Sequence, residues 1–187
     1  MDSAENKSVR VRELEFVPFL SEAELRARVT ELGQALHERL AADGDPVFVV
    51  MLNGAFIFAA DLVRASGLGG EVTFVRTRSY AGTATTGTVE LLLAPEPALI
   101  RGKDVVLIED IVDSGYTMQA FLPQLRALEP RSVTLVTLLH KPTATKVAVD
   151  IDLVGFAIPD KFVVGYGLDY NGHGRQLGGI YRLGEGY

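Results

Sequence analysis

Three short stretches of this chain are apolar almost throughout: Val47–Leu52, residues 105–108 and, with two threonines among them, residues 133–139. Each has the length of a strand and is rich in β-branched residues. A strand with one wet face alternates apolar and polar side chains, whereas a continuous apolar run needs cover on both faces. Between and around these runs lie segments with helical spacing. Buried strands alternating with helices predict an α/β domain built on a mostly parallel sheet flanked by helices.

The first helix is announced by Ser21 with Glu24 three residues on, a capping-box pattern. Leu25, Val29, Leu32, Leu36 and Leu40 then recur on one helical face, and Asp43-Gly44-Asp45-Pro46 stops the run. After the first apolar strand, Asn53-Gly54 turns the chain into a second helix over residues 56–65, closed by Gly67. Strands are expected at Glu71–Ser79 and Val89–Leu93. The small, weakly anchored residues 80–88 between them read either as an exposed connector or as a lid. A further helix is expected over residues 116–128. Residues 153–187 hold short strand-like pieces broken by Gly and Pro, which read as an appended lobe. Residues 1–12 are polar and mixed in charge, a loose leader without the pattern of a signal peptide. That leaves residues 13–187 as one domain.

Composition narrows the function classes. The 187 residues contain no cysteine, which removes disulfides, thiolate nucleophiles and Cys-type metal sites and suits a cytoplasmic location. Eighteen basic against 24 acidic residues give a net charge of −6, so the broad positive field of a nucleic-acid binder is missing. No apolar run approaches the roughly 20 residues that span a bilayer. The expected partners are therefore neither nucleic acid nor membrane.

In open α/β sheets, ligands bind beyond the carboxyl ends of the strands. Glu109 and Asp110 sit there, adjacent carboxylates closing a strand of wholly apolar interior. Like charges side by side demand cations or several hydrogen-bond donors, which a vicinal diol and a hydrated Mg²⁺ supply; the alternative is a solvated strand end. Asp113-Ser114-Gly115-Tyr116-Thr117 follows at a helix start. It reads as a phosphate cradle of small residues, hydroxyls and free N–H groups, or as plain helix capping by Asp113 or Ser114. It lacks the spacing of a Walker A loop.

Residues 105–118, Val-Val-Leu-Ile-Glu-Asp-Ile-Val-Asp-Ser-Gly-Tyr-Thr-Met, resemble the binding motif for 5-phosphoribosyl-1-pyrophosphate (PRPP) in type I phosphoribosyltransferases. Residues 158–171, Ile-Pro-Asp-Lys-Phe-Val-Val-Gly-Tyr-Gly-Leu-Asp-Tyr-Asn, resemble the purine-site segment of the hypoxanthine (hypoxanthine-guanine) phosphoribosyltransferases. Ser79-Tyr80 and Lys141 stand where that family has them. The resemblance implies a central sheet with a small hood lobe, formed largely by residues 153–187, and a flexible lid beginning at Ser79 and Tyr80.

It also implies roles. Glu109 and Asp110 would hold the ribose hydroxyls and a Mg²⁺; Ser114, Gly115, Tyr116 and Thr117, with the Asp113 backbone, would hold the 5′-phosphate. The Asp113 side chain would exchange a proton with N7 of the purine. Lys141 would donate to the purine 6-oxo group, which excludes a 6-amino group that offers no matching acceptor. Phe162 would stack on the base, Val163 would read its edge through the backbone, and Asp169 beside them would ligate a second Mg²⁺. Asn53, Gly54 and Arg175 would face pyrophosphate. The family commonly has lysine where this chain has Asn53, so no side-chain charge is available there, and the Leu52–Asn53 peptide is open to cis or trans.

The implied activity is purine salvage, transfer of phosphoribose from PRPP to hypoxanthine or guanine, by a homodimer or homotetramer. A PRPP- or nucleotide-sensing protein on the same fold is the alternative, and a Mg²⁺-dependent phosphohydrolase a weaker third that leaves residues 162–169 unexplained. Retention of Asp113, Lys141 and Asp169 together favours catalysis. His37, His140 and His173 show no metal-motif spacing.

Overall fold

A computed structural model describes residues 7–40, 44–79 and 89–184 of the chain. In chain order its elements are β1 (Val9–Val11), β2 (Leu14–Leu20), α1 (Glu22–Leu40), β3 (Val47–Leu52), α2 (Phe56–Ser66), β4 (Glu71–Ser79) and β5 (Val89–Leu93). There follow α3 (Pro97–Ile100), β6 (Asp104–Val112), α4 (Tyr116–Arg126), β7 (Ser132–His140), β8 (Leu153–Ala157), β9 (Val163–Val164) and β10 (Ile180–Leu183).

The three apolar runs are β3, β6 and β7, the middle of a six-stranded sheet ordered β5-β4-β3-β6-β7-β8. All its pairings are parallel except β4 with β5. The continuous apolar character follows from burial on both faces. Phe48, Val50, Val106, Ile108, Val136 and Leu138 point into a core shared with α1 and α2. Their immediate neighbours Val47, Val49, Met51, Val105, Leu107 and Leu135 point the other way, into a core with Phe121 and Leu125 of α4. The period of two persists, but both faces are dry.

α1 starts with the expected capping box: the Ser21 N–H donates to Glu24 Oε2 at 2.8 Å, and the Glu24 N–H donates back to Ser21 Oγ at 3.2 Å. Its buried face is the anticipated one, from Leu25 to Leu40. Gly33 within it lets α2 approach, since a Cβ there would stand 2.6 Å from the Ala65 carbonyl carbon. α2 ends on Gly67 in the left-handed region, φ 61°.

Three boundaries differ from the sequence expectation. Residues 9–11, expected in the loose leader, form β1, because Val9 and Val11 close over a small cluster with Phe16 and Val164. The smaller lobe is a four-stranded antiparallel sheet ordered β1-β2-β10-β9, so half its strands come from before α1. Residues 153–157, assigned to that lobe, instead form β8 and extend the large sheet beside β7. β6 does not stop at Ile108. It runs through the acidic pair to Val112, because its backbone ladder to β7 continues to His140 after the side chains turn polar.

Candidate active site

Three parallel strands deliver the chemistry at their carboxyl ends. β3 ends in Asn53-Gly54, β6 carries Glu109 and Asp110 and leads to Asp113, and β7 leads to Lys141. α2 and α4 begin just beyond two of these ends. Neither helix has a side-chain cap or an acidic residue in its first turn, in contrast to α1. The positive ends of both dipoles are thus left for an anion at this edge.

At the β6–α4 turn the residue before the helix is Gly115, which has no side chain to cap with. Its φ of +88° favours glycine, and a Cβ would lie 2.4 Å from the Val147 carbonyl oxygen. The Ser114 carbonyl accepts the N–H groups of Lys146 and Val147 at 2.9 and 3.1 Å, which clamps the loop from outside. Glu109, Asp113, Ser114, Gly115 and Thr117 line a cavity of about 250 Å³ with Ile111, Val112 and Met118. Tyr116 is exposed at the first helical position.

Glu109 Oε2 is buried with no hydrogen-bond partner among the described residues. Burial first, and then the charge of Asp110, push the Glu109 carboxyl well above the usual carboxylate range. Burial raises Asp110 too, against hydrogen bonds from Glu109 and the backbone and against the charge of Arg175. Both shifts have the same origin: two carboxylates side by side, out of water, disfavour carrying full negative charge together. No group of three or more potential ligands is assembled among the described residues. Two carboxylates with an orphaned oxygen nevertheless suit Mg²⁺, which keeps most of its waters and takes one or two carboxylates plus substrate oxygens.

Asp110 lies over the β3 turn so closely that a Cβ on Gly54 would stand 1.4 Å from its Oδ2. Gly167, φ +103°, packs against the same turn: a Cβ there would meet the Gly54 carbonyl oxygen at 2.1 Å. The Gly167 carbonyl in turn accepts a hydrogen bond from Arg175 Nη1 at 2.6 Å, and Arg175 Nη2 pairs with Asp169 Oδ1 at 2.6 Å. Asp169 Oδ2 accepts the Gly172 N–H at 2.6 Å. Asp110, Gly54, Gly167, Arg175 and Asp169 thus form one stack joining the two sheets. Asn53 is exposed at its edge, and the Leu52–Asn53 peptide is cis.

Lys141 is buried, yet its Nζ lies 2.9 Å from Asp113 Oδ2 and 3.3 Å from Asp160 Oδ1. Its backbone N–H donates to the Val112 carbonyl at 3.0 Å, which fixes it beside the β6 end. Asp160 belongs to the loop that leads to Phe162, so the 158–171 segment reaches, through Lys141, the residues of the β6–α4 turn. Phe162 is 46% exposed, and its ring packs on Phe16 at 6.2 Å and edge-on to Tyr170 at 5.9 Å between centroids. Val163 is buried behind it in β9. Ser79 ends β4; Tyr80 and the rest of the expected lid lie outside the described residues.

Sequence reasoning gave no role to Asp160, Gly167, Phe16 or Tyr170. The first two and Tyr170 stand inside the quoted purine-site segment, where an acidic residue and an extra glycine were visible. Phe16 had no signal, because its partner Phe162 is remote in sequence.

This geometry agrees with the comparisons. Residues 20–171 match the phosphoribosyl transferase domain family model, and the chain belongs to that family. Its relatives within the family are hypoxanthine and hypoxanthine-guanine phosphoribosyltransferases. The hypoxanthine phosphoribosyltransferase of Escherichia coli K12 is 44% identical over 160 residues, 84% of this chain and 89% of that one. The Haemophilus influenzae protein of that name is 41% identical over 167 residues, 88% and 93% of the two chains. The crystal structure of a hypoxanthine-guanine phosphoribosyltransferase from Bacillus anthracis superposes with a TM-score of 0.84 at 34% identity, covering 94% of this chain and all of that one.

Proposed function

We infer that the protein transfers the 5-phosphoribosyl group of PRPP to hypoxanthine, and to guanine, releasing pyrophosphate and the nucleoside 5′-monophosphate. The observation that carries this reading is the buried Lys141 ammonium, bridging the Asp113 carboxylate and the loop that bears Phe162. It puts a proton-transfer group and a donor for a 6-oxo group side by side, tied to the loop that carries an exposed aromatic ring.

In the reaction the bond from C1′ to pyrophosphate breaks with its electrons leaving on pyrophosphate, and the C1′–N9 bond forms. The N7 proton passes to Asp113, which restores the aromatic neutrality of the base. Ser114, Gly115, Tyr116 and Thr117 hold the 5′-phosphate through the uncapped start of α4 and their hydroxyls. Glu109 and Asp110 hold the ribose diol; these two, and Asp169 on the pyrophosphate side, are the residues that would bind Mg²⁺. When bound, the ion neutralises charge on the departing pyrophosphate. Arg175 and the backbone at Asn53 and Gly54 face the same group. Phe162 covers one face of the base and Val163 reads its edge.

No described helix is long and apolar enough to cross a membrane. We assign the enzyme to the cytoplasm on its cysteine-free sequence, which suits a reducing compartment. We also assign it to a homodimer or homotetramer. Val72 and Phe74, 47% and 43% exposed on one face of β4, support apolar contact with a second copy. Sedimentation at micromolar concentration tests that assignment, and a monomer refutes it.

The direct test is turnover with Mg²⁺, PRPP and each of hypoxanthine, guanine, xanthine and adenine. Inosine monophosphate should form from hypoxanthine, and failure with every 6-oxopurine would overturn the reading. Asp113→Asn should lower kcat by about 100-fold with little change in PRPP affinity; an unchanged kcat removes Asp113 from proton transfer.

A further inference from the structure

We propose that Asp160 is a positioning residue for the reaction: it orients the Lys141 ammonium toward the base and keeps its charge balanced when Asp113 is neutralised. The proposal rests on the function inferred above. An ammonium has three N–H donors and no acceptor. Two are engaged here, one by Asp113 Oδ2 at 2.9 Å and one by Asp160 Oδ1 at 3.3 Å. With both carboxylates in place one donor remains, and it is the one we assign to the 6-oxo oxygen of the base.

The two carboxylates are not equivalent in the reaction. As the N7–H bond breaks, its proton passes to Asp113 and that group becomes neutral. Lys141 is 6% exposed, and a buried cation left with no counter-charge would be strongly disfavoured. Asp160 takes no part in the proton transfer and faces the same ammonium from the other side, at 3.3 Å. Its placement is built into the fold: the Ile158 N–H donates to the His140 carbonyl at 2.8 Å, tying the Asp160 loop to the residue before Lys141. The same loop continues into Phe162, so one segment carries both the aromatic ring and the carboxylate on the ammonium. Because the Asp160 side chain is 64% exposed, its effect is smaller than that of Lys141 itself.

The experiment compares Asp160→Asn, Asp160→Glu, Lys141→Met and the Lys141→Met/Asp160→Asn double variant of the full chain, with Mg²⁺, PRPP and hypoxanthine. Asp160→Asn should lose about three- to tenfold in kcat/KM for hypoxanthine, mainly in kcat, with KM for PRPP unchanged. Asp160→Glu, which keeps the charge and has longer reach, should recover most of the loss. Adding Asp160→Asn to Lys141→Met should cost nothing further, because the residue it acts through is gone. Wild-type rates in Asp160→Asn, or the same loss with and without Lys141, would overturn the proposal while leaving the enzyme assignment intact. An inert wild type would remove both.

Discussion

Replacing Gly54 by alanine separates the placement of the acidic pair from the stability of the fold. The new Cβ would stand 1.4 Å from Asp110 Oδ2 and 2.4 Å from its Cγ, while ordinary contact begins at 3.4 Å. The obstructing atoms are the end of a rotatable side chain, so the backbone can stay and the carboxylate must retreat by about 2 Å. That movement gives up the hydrogen bond from the Ile111 N–H to Asp110 Oδ1, 2.9 Å long. One such bond contributes about 1 kcal/mol, which lowers Tm by roughly 2–4 °C in a chain of this length. With Asp110 holding the ribose as proposed, a displacement this large should cost about 100-fold in kcat/KM for PRPP. Gly67→Ala is the control: φ there is +61° with nothing within 4 Å of the added Cβ, so strain of roughly 1 kcal/mol should lower Tm similarly and leave the rate alone. Initial rates of inosine monophosphate formation at saturating hypoxanthine, read beside thermal melts, decide the matter. A Gly54→Ala enzyme within threefold of wild type in kcat/KM for PRPP would refute the idea that Asp110 must sit over this turn.

Lys141→Ala should reduce kcat/KM for hypoxanthine by about ten- to a hundredfold, and equal use of adenine by the wild type would contradict the donor role. The Glu109 carboxyl is raised from 4.5 in the folded state, so its protonated form favours the fold. Its contribution is fully present below pH 4.5 and is lost as pH rises through the raised value. Glu109→Gln should flatten that decline in denaturant titrations without Mg²⁺, and an unchanged pH slope would refute it. Phe162→Ala removes a half-exposed ring, so KM for hypoxanthine should rise about three- to tenfold with a small change in Tm; an unchanged KM would take Phe162 out of the base site.

The amino-acid sequence alone determined the local chemistry and the layered core. Continuous apolar runs require a sheet dry on both faces, and β3, β6 and β7 are that sheet. Ser21 with Glu24 specifies a helix start through bonds spanning three residues. Glu109, Asp110 and the 113–117 turn were legible because they are contiguous, and so was the strand order's central βα alternation. Only the tertiary structure decided what depends on contacts across many residues. Val9 and Val11 read as a polar leader until Phe16 and Val164 are brought against them. Residues 153–157 are strand-like in either lobe, and the exposed edge of β7 is what recruits them to the large sheet. The partnerships of Lys141 with Asp160 and of Gly54 with Asp110 depend on strands that are neighbours in the large sheet but far apart in sequence, and that of Gly54 with Gly167 on the segment after β9 packing against the β3 turn. Periodicity and spacing report the neighbours a residue has along its own element, whereas a site is assembled by closure of long loops that leave no local pattern.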